Sequence, residues 1–518
     1  MPLIPQKTGP RFIVLASLIG LTLGTALVYG LLWVAEFAGE TAPDLIALWS
    51  SPHATNMLSN LAEVTVGVMA IALTVVAILV QLAAYRYTAR ITDLFVRDPV
   101  NMIAVGFFVV TSVLVLWINM SLEGLTGPSV MVMALVAMVS LAILGLLPYF
   151  AYIFYFLTPS HIIRLIREES VHALERASRL GDSTVERSRR ELLLSIEHLD
   201  DMTQDAVKKD DKAIAIRTIG AMSGVLHAYA GYKTGLPKSW FSTTFLATHD
   251  ADFVALDPDM IEAIEQRRTW VEMKVLRGLE TTFRNALKRL TDVNHLIAIH
   301  CRDFAIHAVE ANDAPALQLG IRYFNTFVRH AINAGDLRSA YNVLNEYREL
   351  AVELMRQRHD DKVVRIAEHL KYYANLAFAR GHTFVVETIA HDVSEVLQIA
   401  HKVGSPCHDP TLEVLLDIDR EPFRSDDHQE ASLRGVRKAQ VRLATYYLNV
   451  GATERARRVY EDMKDETPTR LRSIWQELTA LHEAEWWEVA NRDSNWDYLS
   501  PDRRAQLDVF FGWFDLTA

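Results

Sequence analysis

Charged residues are distributed very unevenly along the chain, and this constrains the fold more than any motif does. Residues 1–157 contain only 12 charged side chains, whereas the other 361 residues contain 103 of the 115 present in the whole chain of 518. Four charge-free stretches, 12–35, 64–85, 99–122 and 129–147, match the roughly 20 apolar helical residues that cross a bilayer. The sequence therefore predicts four transmembrane helices followed by a large charged domain.

Positive charges in the short loops predict how these helices are oriented. Lys7 and Arg11 precede the first stretch, and three arginines lie between the second and third, whereas the other two loops have no Lys or Arg. Because cytoplasmic loops retain positive charge, we expect both termini and everything after residue 160 in the cytoplasm. The charges expected on the outer side are all acidic: Glu36, Glu40, Asp44, Glu63 and Glu123.

The second stretch carries a stripe of polar and small residues. Alternating steps of four and three residues connect Asn56, Asn60, Glu63, Gly67, Ala70, Thr74, Ala77, Gln81 and Ala84, which lie on one helix face. In lipid, small residues mark close helix contacts and polar ones mark interhelical hydrogen bonds, so the stripe can be a packing seam within a bundle or between subunits. It can also line a water-filled path for ions or substrates. Ser112 and Asn119 share a face of the third helix and could meet this stripe.

The rest of the chain has helical periodicity almost throughout, so the predicted class is all-α. We divide it into a four-span transmembrane domain at 1–160, juxtamembrane and linker helices at 161–256, and a cytoplasmic helical-hairpin domain at 257–518. Within the fourth stretch, Pro148 is expected to kink or end the helix, and residues 149–156 to form an interfacial aromatic belt. Further expected helices are 160–180, closed by Gly181, one capped by Ser183, and one that Asp257 caps and that runs to about Leu290.

A weak internal repeat is present beyond Asp292. The same helix–glycine turn–helix register occurs around Gly335, Gly381 and Gly451, with gaps of 46 and 70 residues. Paired antiparallel helices of this kind build solenoids, whose surfaces commonly bind another protein. Because the gaps are unequal, an irregular solenoid and a generic helical bundle both remain open.

No motif predicts a catalytic residue, a cofactor or a metal. Cys301 and Cys407 are too few for a disulfide framework or a zinc site. His300, Asp303 and His307 share a helix face, but a fourth ligand and the His-Glu-x-x-His order are missing. The net charge is −2 for residues 1–157 and −9 for the rest, which argues against nucleic-acid binding because that needs a basic face.

A calcium loop is also excluded. Asp417, Asp419 and Glu421 have the spacing that begins one, but Pro422 stands where the sharp turn needs glycine. We therefore interpret this segment as an acidic surface loop.

The residues that join the second and third stretches resemble those of a known family. Its members have Gln-Leu, a short polar link, Ser-Pro-Arg and then Phe-x-x-Asp; here Gln81, Arg90, Phe95 and Asp98 match by position, while Thr88-Ala89 replaces Ser-Pro. Mainly over residues 55–160, the chain is similar to the bacterial predicted-membrane-protein family known as domain of unknown function twenty-two fifty-four. The resemblance implies a bacterial plasma membrane, no established activity and no catalytic residues to carry over.

Two functions are compatible with these features, and an enzyme is a third, less favoured class. The first is a homo-oligomeric inner-membrane channel or transport pore, in which the second helices line or seal a central path and the cytoplasmic domain gates it. An outer face that is only acidic would concentrate cations at such a pore. The second is a membrane-anchored scaffold or sensor that recruits a cytosolic protein through its helical hairpins.

Overall fold

The computed structural model describes residues 52–86, 90–121, 130–244, 246, 250–418, 427–484, 495–514 and 516. These residues form α-helices, one short 3₁₀ helix and no strand, so the predicted all-α class is confirmed. The chain divides after Ile166 into two compact units, called here the membrane unit and the solenoid unit. The first predicted transmembrane stretch, 12–35, lies outside the described residues, and the predicted domain boundaries at 160 and 256 remain predictions.

The membrane unit contains four described helices before residue 157. They are α1 (Pro52–Arg86), α2 (Arg90–Arg97), α3 (Pro99–Ser121) and α4 (Val130–Phe156). Ser59–Arg86 and Val136–Phe156 are each long and apolar enough to cross a membrane. The pair Arg90–Arg97 and Pro99–Val113, bent by 65°, counts as a third if it is one broken span. The described part of the chain thus contains two or three candidate spans, and not the four predicted for the chain.

Helix α4 corrects the expectation for its proline. The helix continues through Pro148 to Phe156, so Pro148 does not end it. Of the aromatic residues expected to form an interfacial belt, Tyr149, Tyr152 and Phe156 are buried in the core formed with α1, α2 and α3, whereas Phe154 is 61% exposed. Burying one large apolar side chain contributes about 1.5–3 kcal/mol, so three together offset the roughly 3 kcal/mol that proline costs inside a helix.

Helix α5 spans the division after Ile166, and most of the helices that follow it pack in two layers. The helices are α5 (Pro159–Leu180), α6 (Asp182–Lys208), α7 (Lys212–Lys233), α8 (Ala251–Val254), α9 (Pro258–Arg267), α10 (Trp270–Ala286), α11 (Thr291–Glu310), α12 (Ala314–Ala334), α13 (Leu337–Arg356), α14 (Asp360–Ala379), α15 (Thr383–Val403), α16 (His408–Leu416), α17 (Asp427–Asn449), α18 (Thr453–Met463), α19 (Pro468–Ala480) and α20 (Pro501–Phe511), with a 3₁₀ helix at Lys238–Phe241. Helices α7, α11, α13, α15 and α17 pack side by side as a first layer, and α6, α10, α12, α14 and α16 as a second. Near the C-terminus, α18 and α20 pack on α17.

The turns between these helices repeat at a constant interval. One residue with positive φ follows each of five successive helices: Asn312, Gly335, Arg358, Gly381 and Gly404, each 23 residues after the one before. The next amide then bonds the carbonyl five residues back, as Asp336 does to Ala331 at 3.0 Å, which completes a Schellman turn. Two helices and two turns therefore occupy 46 residues, and this part of the chain is a regular solenoid.

Of four expected helix boundaries, two are confirmed and two are wrong. Helix α5 ends before Gly181 as predicted, but α6 begins at Asp182 after Gly181, so Ser183 is not its cap. Asp257 does cap α9, accepting the Asp259 amide at 2.9 Å. That helix stops at Arg267 and does not reach Leu290. A new helix begins at Trp270, whose buried indole N–H donates to the Trp240 carbonyl at 3.0 Å.

Candidate functional site

The polar and small residues of α1 form one outward-facing surface. Asn60, Glu63, Gly67, Ala70, Thr74, Ala77 and Gln81 are exposed, and Ala84 is half-buried. Asn56 lies on the same helix, with a side chain outside the described part of the chain. A methyl group added at Gly67 would meet no atom within 4 Å. We call this surface the α1 stripe.

A different face of α1 packs against the other helices of the membrane unit. Its buried residues are Ala62, Thr65, Met69, Ala72, Val76, Val80 and Ala83. Met69, Val76 and Val80 join a core that includes Phe108 of α3 and Tyr149 of α4. At 100° per residue, the centre of the stripe lies roughly 140° around the helix from the centre of this packed face. The seam of the described bundle is therefore made by these residues and not by the α1 stripe.

The hydroxyl groups of Thr74 and Ser112 bond their own helices. Thr74 donates to the Ala70 carbonyl at 2.7 Å, and Ser112 of α3 donates to the Phe108 carbonyl at 2.9 Å. Asn119 lies on α3, with a side chain outside the described part. Because the Thr74 hydroxyl is satisfied, the centre of the stripe is chemically a row of small groups. Its amide and carboxylate side chains, Asn60, Glu63 and Gln81, lie toward the two ends.

A polar network at the break between α2 and α3 was not anticipated from the sequence. Asp98 accepts the Asn101 amide at 3.0 Å and the Tyr152 hydroxyl at 2.6 Å. Asn101, only 6% exposed, donates through its side chain to the Phe95 carbonyl at 3.0 Å and accepts the Tyr149 hydroxyl at 2.6 Å. The carboxylate thus caps α3 and ties it to α4, so this network holds the bent pair in place.

The network explains two positions of the pattern that carried the family resemblance. Phe95 is buried against Phe156 with ring centroids 5.4 Å apart, and its carbonyl accepts from Asn101. Asp98 is the capping carboxylate. The spacing Phe-x-x-Asp therefore places an aromatic anchor and a helix cap around one bend. The spacing of Tyr149 and Tyr152 on one face of the following span was the signal that could have identified their partners.

In the solenoid unit, buried ion pairs connect neighbouring helices of the first layer. Glu346 of α13 is 3% exposed, binds Arg302 of α11, and lies 3.0 Å from His295 Nε2. Burial alone would raise the pKa of Glu346, but hydrogen bonds from His295 and Asn345 and the charge of Arg302 lower it. One hairpin further along, Arg348 of α13 pairs with Asp392 and Glu395 of α15. Arg302 and Arg348 are 46 residues apart, as are Glu346 and Asp392, so one contact recurs with the period of the solenoid.

The histidines and cysteines considered from the sequence are spread over separate contacts. The His307 ring packs on His227 of α7 at 4.6 Å, and Asp303 accepts from Arg302 at 2.9 Å. Burial lowers the pKa of His300 and raises that of the Cys301 thiol. Among the described residues, no group of three or more His, Cys, Asp or Glu side chains is arranged to hold a metal ion.

Comparison with known proteins finds a family model and a solved structure that are similar to parts of this chain. No curated protein matches the chain. A solved structure described as "Circular tandem repeat protein with novel repeat topology and enhanced subunit contact surfaces" is similar, with a TM-score of 0.31 and 15% sequence identity over 63% of this chain and 80% of that one. The model of a family described as "Predicted membrane protein (DUF2254)" matches residues 11–226. The expected resemblance is thereby confirmed: residues 11–226 match that family across the membrane unit and the first helices of the solenoid unit.

Proposed function

We propose that this chain forms a homo-oligomeric membrane protein in which the α1 stripe faces neighbouring subunits and lines a conducting path. The observation that carries the proposal is the orientation of α1, since the stripe lies on a face that the described bundle does not use. Small residues at its centre permit close helix approach, and polar groups near its ends can contact water or a partner helix. The solenoid unit is then the part that gates this path.

Charge supports cations as the permeating species. Five positive residues flank the spans on the side assigned to the cytoplasm, and the other side has only carboxylates. A ring of carboxylates at a pore entrance raises the local cation concentration. In this arrangement the protein lies in a bacterial inner membrane with both termini in the cytoplasm.

Reconstitution in liposomes tests the channel directly. We expect cation flux from the purified chain and a large change in that flux for Gly67→Leu, because a bulky side chain fills the centre of the stripe. Val64→Leu is the matched control, since Val64 is 55% exposed on another face of α1. Absence of ion or small-solute flux at every tested voltage and membrane tension would overturn the channel.

A second role, a membrane-anchored scaffold, is supported by the regular solenoid. A constant 46-residue hairpin stacks equivalent helix surfaces side by side, and repeat proteins use such extended surfaces to bind other proteins. A chain lacking residues 1–157 should then capture the same cytosolic partner as the intact chain. Loss of capture on this deletion, with the solenoid still folded, would count against the scaffold.

A further inference from the structure

The first layer of the solenoid unit carries a segment of the chain's own C-terminal region on its surface. Residues 495–499 form a turn, in which the Asp497 amide donates to the Asn495 side chain at 3.0 Å and the Tyr498 amide to the Asn495 carbonyl at 3.2 Å. Leu499 is fully buried, and its carbonyl accepts from Arg504 of α20 at 3.0 Å. This segment, which we call the Trp496 turn, is thus anchored at its C-terminal side.

Trp496 lies over aromatic side chains from two neighbouring helices. Its ring stacks on His391 of α15, with centroids 4.9 Å apart and planes 16° apart, and on Phe384 of the same helix at 6.0 Å. Tyr341 of α13 is the third aromatic neighbour, at 5.7 Å. Even with the indole in place, Phe384 remains 40% exposed. The contact is therefore a surface stack that bridges two helices and not part of the core between layers.

The residue after the tryptophan makes an ion pair beside this stack. Asp497 lies 2.7 Å from the ammonium of Lys438 on α17. Lys438 also contacts Glu387 at 3.2 Å and Glu477 at 3.4 Å. If Asp497 leaves, Lys438 keeps two carboxylate partners, so the Lys438 ammonium is not left as an unpaired buried charge.

We propose that Tyr341, Phe384, His391 and Lys438 form a peptide-recognition site that the Trp496 turn fills in cis. Its partner is a protein segment that carries an aromatic residue followed directly by an acidic one. A tryptophan that packs into a complementary pocket is among the residues that carry most of the binding energy at protein interfaces. The inference deepens the scaffold role proposed above and rests on it.

An internal ligand competes strongly with an external one. A short tether gives the cis segment an effective concentration in the millimolar range, so the intact chain should bind an outside peptide poorly. Removing Trp496 and Asp497 from the peptide-recognition site should restore binding of the outside peptide. This difference between the closed and the opened chain is what an experiment can measure.

The test measures the Tm of the full chain in detergent as an unlabelled peptide is added. The peptide is Asn-Trp-Asp-Tyr-Leu-Ser, the sequence of residues 495–500. In the opened variant Trp496→Ala/Asp497→Ala, a tenfold excess of peptide over its Kd should raise the Tm by about 2 °C. The peptide should not raise the Tm of the wild type. It should not raise the Tm of Tyr498→Ala either, because this variant alters the turn but keeps Trp496 and Asp497 in the peptide-recognition site. A peptide with alanine in place of tryptophan should have no effect.

Equal responses of the opened variant and the wild type, or no response in either at millimolar peptide, would overturn the site. If circular dichroism shows that the double variant is unfolded, Asp497→Asn replaces it, and a rise in its Tm smaller than 2 °C but absent in wild type is the supporting result. A peptide-induced shift without any captured cytosolic partner would contradict the scaffold role alone. Partner capture without a peptide-induced shift in the opened variant would overturn this site alone.

Discussion

Helix α1 of the membrane unit and the first layer of the solenoid unit place their polar side chains differently. In α1 the stripe residues face outward together with large apolar residues such as Ile71 and Leu82, which are more than 60% exposed, and the packed face consists of apolar residues and Thr65, whose hydroxyl bonds its own helix. In the solenoid unit the charged residues Glu346 and Asp392 are at most 3% exposed between helices, and the core around them is apolar. Exposure of apolar groups costs nothing in lipid, so hydrophobicity alone does not specify which face of α1 packs.

The comparison shows which contacts determine the positions of helices in the membrane unit and which do so in the solenoid unit. The membrane unit uses a few hydrogen bonds around Asp98 to connect α3 with α4. The solenoid unit uses apolar burial for stability and repeats an arginine–carboxylate contact every 46 residues, which aligns neighbouring helices of the first layer. Four predictions test this contrast, beginning with the largest expected effect.

Loss of a core aromatic residue should be the most damaging change in the solenoid unit. Tyr347 is fully buried and stacks on Phe324 with centroids 4.8 Å apart and planes 6° apart. Tyr347→Ala should lower the free energy of unfolding by about 3–5 kcal/mol, because it removes contacts and leaves a cavity. Thermal unfolding in detergent measures this, with Tyr372→Ala, at a tyrosine 52% exposed, as the control. Equal effects at the two sites would contradict the assigned core.

Removal of the capping carboxylate should be the corresponding change in the membrane unit. Asp98→Ala removes one hydrogen-bond acceptor of the Tyr152 hydroxyl and the N-terminal cap of α3, which together cost about 2–3 kcal/mol. Asp93→Ala is the control, because Asp93 is 61% exposed and pairs with Arg90 on the same helix. Thermostability in detergent distinguishes the two. A change of less than about 0.5 kcal/mol for Asp98→Ala would show that the network does not hold the bend.

A pH titration tests a half-buried carboxylate of the solenoid unit, Asp200. Burial on α6 raises the pKa of Asp200 to about 6, although Gln204 donates to it at 3.2 Å and opposes the shift. The folded state then binds a proton at Asp200 more tightly than the unfolded state does, so the contribution of Asp200 to stability is greatest below about pH 4 and is lost as pH rises through 6.

Asp200→Asn should therefore stabilise the chain at pH 7.5 by about 1–2 kcal/mol and flatten the pH profile between 4 and 6, allowing for partial solvent screening. The exposed neighbour gives the control variant, Asp201→Asn. Stabilities measured at pH 4.5 and 7.5 provide the comparison. A destabilised Asp200→Asn at pH 7.5 would mean that the charged carboxylate is favourable there.

The smallest effects should come from the turn positions. Gly381 has φ 73° and open space where the methyl group of an alanine would lie, so Gly381→Ala should cost about 1 kcal/mol through backbone strain alone. Arg358 has φ 64° at the equivalent position, and Arg358→Gly should gain about 0.5 kcal/mol. Chemical denaturation with urea measures both. Effects of the same sign would show that the two turns are not equivalent.

The repeat illustrates how far a sequence pattern reaches. Glycine adopts positive φ more readily than any other residue. The positions of Gly335 and Gly381 therefore revealed one 46-residue period from the sequence. Asn312 and Arg358 adopt the same conformation without a recognisable signature, and they are stabilised by the helices on either side. The gap of 70 residues from Gly381 to Gly451 arises because one regular step to Gly404 is followed by a step of 47.

The candidate sites likewise contain features that the sequence predicted and contacts that it did not predict. Residue spacing predicted that Asn60 to Gln81 share one face of α1, since helix geometry is local. It did not predict that Phe384 and His391 would meet Trp496, which is more than 100 residues later in the chain. Nor did it predict that Asp98 would bond Tyr152, because contacts of this kind depend on how whole helices dock.

By itself, the sequence determined the helical class, the apolar spans, the one-sided stripe of α1 and the capping function of residues such as Asp257. These follow from helix geometry, side-chain solvation and local backbone preferences, which act over a few residues. Only the tertiary structure decided that the stripe faces outward, that α4 continues through Pro148, and that arginine–carboxylate pairs recur between first-layer helices. Those outcomes depend on burial against distant helices, where the gain from packing outweighs what any local segment prefers.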